Sequence, residues 1–214
     1  MNEKKRIVLV DDHPILRQGL AKMLNDQPDM QVIGEAENGP QAMKVVGSLK
    51  PDMVSLDLSL GDMSGTDLCK QLHEAYGVPI LVVSMHDEAM YAERCLRAGA
   101  MGYVMKQEPQ DQVLGAFRQV AKGQVYLSPK MSARMLQSMS GARTDAGAQP
   151  LDRLSDRELE IFRLIGQGNG VRAIAEKLFL SPKTVEAHKE HIKQKLNLKS
   201  SSELLQYAIE ARLT

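Results

Sequence analysis

Five short apolar runs, each followed by a segment of helical periodicity, constrain this chain more than any other feature of its sequence. The runs are Ile7-Val8-Leu9-Val10, Val32-Ile33, Met53-Val54-Ser55-Leu56, Pro79-Ile80-Leu81-Val82-Val83 and Gly102-Tyr103-Val104-Met105. They are short, unbroken and rich in β-branched residues, as strands covered on both faces require. Between and after them, segments 14–24, 42–49, 66–75, 91–98 and 110–122 place apolar residues three and four apart, the helical spacing. This alternation predicts a doubly wound α/β domain: a five-stranded parallel sheet with helices on both faces, joined by right-handed crossovers. About 120 residues suffice for such a core.

After Tyr126 the alternation stops. Ser128-Pro129 reads as an N-cap and first helical residue, opening a Met-rich helix that runs to about Met139. Residues 140–150 are small, polar and unpatterned, as in a flexible linker. From Leu154 the sequence is helical, with breaks at 166–170, 179–182 and 197–201, so a second, all-α domain of four short helices is expected. The boundaries are residues 1–126 for the α/β domain, 127–150 for helix and linker, and 151–214 for the helical domain.

Composition excludes several classes. The chain is 43% apolar and 25% charged, which is ordinary for a soluble globular protein. No run approaches the eighteen or so apolar residues that span a bilayer. The basic start, Met1 to Arg6, is followed by only four apolar residues and then Asp11-Asp12, which is not a signal peptide. Cys69 and Cys95 sit in helical segments without metal-type spacing and read as buried or half-buried thiols in a reducing compartment. A cytoplasmic protein with no membrane contact is expected. The net charge of zero hides an asymmetry: residues 151–214 hold 11 Lys+Arg against 9 Asp+Glu. The excess gathers in 181–199, where Lys183, Lys189, Lys193, Lys195 and Lys199 face only Glu186 and Glu190. A modestly basic helix suits phosphate contact and equally suits a solvated face.

In an open parallel sheet, ligands bind outside the carboxyl ends of the strands. Those ends carry Asp11-Asp12 after the first strand, Asp57 after the third, Ser84 after the fourth and Lys106 after the fifth. Three carboxylates, a hydroxyl and an ammonium would therefore meet at one edge. Clustered carboxylates call for a counter-ion, and Mg²⁺ suits them because it takes one or two carboxylates and keeps positions open for phosphate oxygens. Such a site fits phosphoryl transfer to a carboxylate nucleophile.

Asp11-Asp12, Asp57-Leu58-Ser59 with Gly65, Ser84 and Gly102-Tyr103-Val104-Met105-Lys106 together resemble the receiver domain of two-component response regulators, over residues 5–123. The resemblance implies the CheY-like, flavodoxin-like fold. It implies that Asp57 is the phosphoryl acceptor and that Asp11, Asp12, Asp57 and the backbone carbonyl of Ser59 hold Mg²⁺. Ser84 would hydrogen-bond the phosphoryl group, Lys106 would pair with it, and Tyr103 would change rotamer. Where the family usually has Pro four residues after the acceptor, this chain has Gly61. That change loosens the loop and bears on the lifetime of the phosphorylated form.

In the second domain, Ser155-Asp156-Arg157-Glu158 is a capping box opening a helix with Leu159, Phe162, Leu164 and Ile165 on its apolar side. A short helix through Ile174, Ala175 and Leu178 follows. Ser181-Pro182 then starts a helix whose Val185, His188, Ile192 and Leu196 share one stripe, while Lys183, Glu186, Ala187, Lys189, Glu190 and Lys193 lie outward. Short helix, turn and capped helix with a polar face make a helix-turn-helix at about 170–196, its second helix suited to the major groove. His188 reads as a structural residue of the stripe rather than a catalytic or metal-binding one. Leu154-Ser155-x-Arg157-Glu158, Ile174-Ala175-x-x-Leu178 and Ser181-x-x-Thr184-Val185-x-x-His188-x-x-x-Ile192-x-x-Lys195-Leu196 resemble the LuxR-type DNA-binding domain. Joined to a receiver, this is the pattern of the NarL/FixJ family of response regulators. DNA contacts are expected from Lys183, Thr184, Glu186, Ala187, Lys189, Glu190 and Lys193. Members often carry basic residues at the positions of Glu186 and Glu190; Glu can accept from cytosine N4, so Glu186 is a candidate base reader. Val171 stands where Asn is common.

Three function classes follow. A phosphorylation-switched transcription factor explains both domains and implies a sensor histidine kinase, RNA polymerase, double-stranded DNA with paired half-sites, and a homodimer as partners. A Mg²⁺-dependent aspartyl phosphatase would need Asp-x-Asp at the first strand end, which here reads Asp11-Asp12-His13. The alternative is a DNA-binding regulator controlled by a ligand or partner protein without phosphorylation; retention of Asp57, Ser84 and Lys106 argues against it without excluding it. No enzyme activity and no organic cofactor are expected.

Overall fold

The computed structural model describes residues 3–60, 63–139, 150–178 and 180–213. The expectations for Gly61, the 140–149 linker and Phe179 lie outside the described residues. The chain divides into two compact units, residues 1–142 and 143–214.

The first unit is built from β1 (Lys5–Val10), α1 (Pro14–Asn25), β2 (Met30–Ala36), α2 (Gly39–Leu49), β3 (Met53–Leu56), α3 (Gly65–Tyr76), β4 (Ile80–Ser84), α4 (Glu88–Arg97), β5 (Gly102–Met105), α5 (Gln110–Val120) and α6 (Pro129–Met139). The strands form one parallel sheet in the order β2-β1-β3-β4-β5. The order reverses direction at β1, between β2 and β3, so the ends of β1 and β3 flank the crevice where such sheets bind ligands. Ile7, Leu9, Met53, Leu81, Val83 and Val104 of the sheet pack with Leu114, Phe117 and Val120 of α5 in one buried core. Strand β2 is longer than the Val32-Ile33 run suggested. It is the edge strand, and its exposed Gln31 and Glu35 interrupt the apolar pattern while its backbone pairs with β1 from Met30 to Ala36, with a register shift that skips Ile33.

Local capping fixes where the helices start. Asn38, Ser64 and Asp87 accept backbone N–H bonds from Gln41, Asp67 and Ala89 at the starts of α2, α3 and α4. The first residue of α3, Gly65, has no room for a side chain: a Cβ there would lie 2.4 Å from the Cα of Leu58. That contact holds the start of α3 against the segment carrying Asp57. Beyond α5 the chain returns to the sheet. The Tyr103 N–H donates to the Tyr126 carbonyl (3.1 Å) and the Tyr126 N–H to the Met101 carbonyl (3.0 Å). Helix α6 then packs on α4, with Met131 buried. The Ser128 N–H donates to Glu88 Oε1 (2.9 Å), and Arg134 Nη1 donates to the Ala89 carbonyl (3.4 Å).

The second unit contains a 3₁₀ turn, Pro150–Arg153, then α7 (Asp156–Gly166), α8 (Val171–Lys177), α9 (Pro182–Leu196) and α10 (Ser201–Leu213). The capping box is formed in both directions between Ser155 and Glu158. Leu159, Phe162, Ile165, Ile174, Val185, Ile192, Leu204 and Ala208 are buried. Gly166 lets α7 approach α10 closely, since a Cβ would meet the Ala208 carbonyl oxygen at 2.4 Å.

Candidate functional site

The carboxyl ends of β1, β3, β4 and β5 bring Asp11, Asp57, Ser84 and Lys106 together as the spacing predicts. Lys106 Nζ lies between two buried carboxylates, 2.7 Å from Asp11 Oδ2 and 2.8 Å from Asp57 Oδ2. The other oxygen of Asp57 accepts the Leu58 N–H at 2.8 Å. Burial opposes the charge on Lys106, but Asp57 and Asp11 outweigh it and hold the ammonium above the ordinary lysine range. Asp12 is half-buried, and desolvation together with the charges of Asp57 and Asp11 holds it above the usual carboxylate range, against His13 and Lys106. Its Oδ1 is fully covered and makes no hydrogen bond, although His13 Nδ1 stands 2.6 Å away at ion-pair distance. Asp11, Asp12, His13 and Asp57 each have a ligand atom within 4.8 Å of the others.

Ser84 is fully buried, and its Oγ accepts the His86 N–H at 3.4 Å. Tyr103 is also fully buried. Its hydroxyl donates to the His86 carbonyl at 2.9 Å, which ties β5 to the loop after β4. Burial holds its phenol well above the usual tyrosine range. Ser59 lies on the loop after β3, where its hydroxyl is 3.0 Å from His86 Nε2.

The helix-turn-helix takes shape as α8, a tight turn and α9. Ser181 accepts the Thr184 N–H at 3.0 Å and Pro182 occupies the first turn, so α9 starts where the sequence places it. Val185 and Ile192 face the core. Lys183, Glu186, Ala187 and Glu190 are exposed. Thr184 is half-exposed, its hydroxyl 2.8 Å from that of Ser181. Lys189 and Lys193 are held differently from Lys183. They pair with Glu186 (3.1 Å) and Glu190 (2.8 Å), and each lysine side chain is only 16% exposed.

Comparison with known proteins places these two sites in one context. Residues 7–118 match the response regulator receiver domain, and residues 152–208 match the bacterial regulatory proteins of the luxR family. The chain is 42% identical to the oxygen regulatory protein NreC of Staphylococcus carnosus, over 97% of this chain and 98% of that one. Among solved structures it is similar to the response regulator ChrA of a heme-sensing two-component system, with 31% identity, a TM-score of 0.53 and 99% of each chain covered. It is also similar to RcsB from Salmonella enterica serovar Typhimurium, bound to the promoter rprA in the presence of the phosphomimetic BeF₃⁻. There the identity is 27% and the TM-score 0.61, over 96% of this chain and 98% of that one.

The chain belongs to the NarL/FixJ family of response regulators.

As a member of this family it is a DNA-binding transcriptional regulator of a two-component system. Among the described residues, no helix is long and apolar enough to cross a membrane. The structure adds two receiver residues that sequence reasoning missed. Arg17 is buried on α1, donates to the Asp11 carbonyl, and pairs with Glu35 (2.8 Å) and Glu37 (2.9 Å). It thereby fixes the backbone on which the acidic pair stands. His86 bonds Ser84 and Tyr103 through its backbone and Ser59 through its ring, which stacks on Tyr91 with centroids 4.7 Å apart. A helical motif would have found neither residue. For Arg17, the available signal is a charged residue within the apolar stripe of α1.

Proposed function

We propose that this regulator is switched by phosphorylation of Asp57 by a sensor histidine kinase and that its phosphorylated form binds paired DNA half-sites as a homodimer. The observation that carries the reading is the Asp11–Lys106–Asp57 bridge: a carboxylate at a strand end, with one oxygen on a backbone N–H and the other on an ammonium. In the reaction an oxygen of Asp57 attacks phosphorus and the bond to the donor's leaving group breaks. Lys106 and the Ser84 hydroxyl then bond the incoming phosphoryl oxygens. The three clustered carboxylates Asp11, Asp12 and Asp57, their ligand atoms within 4.8 Å of one another, fit a hard dication. Asp11, Asp12, Asp57 and the Ser59 carbonyl would hold Mg²⁺, which supplies neutralisation of the phosphoryl charge.

On DNA, α9 would lie in the major groove, with Lys183, Lys189 and Lys193 toward phosphates and Thr184, Glu186, Ala187 and Glu190 toward bases. The stripe of α10 divides in a way that supports a dimer: Leu204 and Ala208 are buried, while Leu205 and Ile209 are 41% and 42% exposed. RNA polymerase contact and a cytoplasmic location accompany this reading. The test is phosphoryl incorporation from acetyl phosphate with Mg²⁺. Wild type gains one acid- and base-labile group and Asp57→Asn gains none; incorporation that persists in Asp57→Asn overturns the assignment.

A further inference from the structure

We propose that Glu158, His188 and His191 form a site for a transition-metal dication of the Zn²⁺ type within the DNA-binding domain. Glu158 comes from the first turn of α7, and the two histidines sit three residues apart on α9. One carboxylate oxygen and one nitrogen from each ring lie within 4.8 Å of one another. Zn²⁺ with bonds of about 2.1 Å sets tetrahedral ligand atoms roughly 3.4 Å apart, so atoms within 4.8 Å of one another need approach by no more than roughly 1.4 Å. His191 is exposed and His188 half-buried, so the outer ring has room to make that movement.

The donor set selects the ion. Two imidazole nitrogens and one carboxylate suit Zn²⁺, Ni²⁺ or Cu²⁺, whereas Mg²⁺ prefers oxygen alone. Three protein ligands leave a fourth position for water. Glu158 is held in place by two donors. The Ser155 N–H (2.7 Å) and Lys195 Nζ (2.6 Å) both bond its Oε2, which leaves Oε1 to ligate. Lys195 also repels a dication, so the affinity falls below that of dedicated structural zinc sites. The sequence reads His188 as a residue of the apolar stripe; it is His191, one turn along, that completes a ligand set. An ion there would tie α7 directly to the helix proposed to read DNA.

The experiment uses the full chain without an affinity tag, with excess Mg²⁺ present to occupy the receiver carboxylates. Co²⁺ serves as the spectroscopic probe and Zn²⁺ as its competitor. The expected result is one saturable equivalent of tetrahedral Co²⁺ absorption that Zn²⁺ displaces, weakened on the order of tenfold or more by His191→Ala. Because His191 is exposed, that variant is expected to keep wild-type helicity and DNA binding in chelator, which separates lost ligation from lost fold. Absence of the tetrahedral band, equal affinity in His191→Ala, or binding abolished instead by Asp12→Ala would each overturn the proposal.

Discussion

The hydroxyl of Tyr103 donates to the backbone carbonyl of His86 across 2.9 Å of buried space. That bond joins β5 to the loop leaving β4, the same loop whose His86 N–H bonds Ser84. Removing the hydroxyl in Tyr103→Phe leaves the carbonyl without this donor, at an expected cost of about 1–3 kcal/mol. DNA affinity measured with and without beryllofluoride should then show a smaller ratio than wild type, while phosphorylation at Asp57 persists. An unchanged ratio would mean the signal bypasses Tyr103.

Lys106→Met removes the cation between Asp11 and Asp57 and leaves two buried carboxylates without it. The expected loss is about 3–5 kcal/mol in the absence of divalent ions, and added Mg²⁺ should restore part of it. In the wild type, the raised Lys106 pKa means its contribution is present at neutral pH. It is lost only as pH climbs through the raised value, above the ordinary 10.5. Thermal melts of both proteins across pH, with and without Mg²⁺, check both statements.

Glu158 carries the opposite sign. Burial opposes its charge, but the bonds from Lys195 and Ser155 win and hold it below the ordinary 4.5. Its contribution is therefore full above that ordinary value and disappears as pH falls through the depressed one. Glu158→Gln should cost about 1–3 kcal/mol at neutral pH. It should also flatten the acid limb of the unfolding curve of the DNA-binding domain.

On α9 the ion pairs make the three lysines unequal. Lys183→Ala should weaken binding to all sequences and make the salt slope of log K shallower by roughly 1. Glu186→Ala frees Lys189 and should strengthen nonspecific binding while altering preference at one base position. Filter-binding titrations over a range of salt, on specific and scrambled duplexes, separate the two effects. Unaltered sequence preference in Glu186→Ala would remove it as a base reader.

Most of the fold was legible because period and punctuation agreed. The apolar runs at Ile7, Met53 and Ile80 could only be buried strands, and Ser155 with Glu158 announced a helix start. The full length of β2 was not legible, because an edge strand exposes Gln31 and Glu35 and so loses the apolar signature. The meeting of Asp11, Asp57 and Lys106 follows from their common place at the carboxyl ends of parallel strands. Arg17 and His86 did not, because their contacts reach across 18 and 27 residues, to Glu35 and Ser59. Pairing of Lys189 with Glu186 and of Lys193 with Glu190 follows from helical spacing, each three residues apart, but the burial of the two lysine side chains does not.

The return of Tyr126 to the side of β5 has a consequence for solubility. A parallel sheet ends in two rows of unpaired backbone groups, each a template on which another chain can polymerise. By taking the Tyr103 N–H and giving its own to the Met101 carbonyl, Tyr126 shields the β5 margin with a single residue. The β2 margin carries Gln31 and Glu35 instead, so one border is covered by backbone and the other guarded by polar side chains.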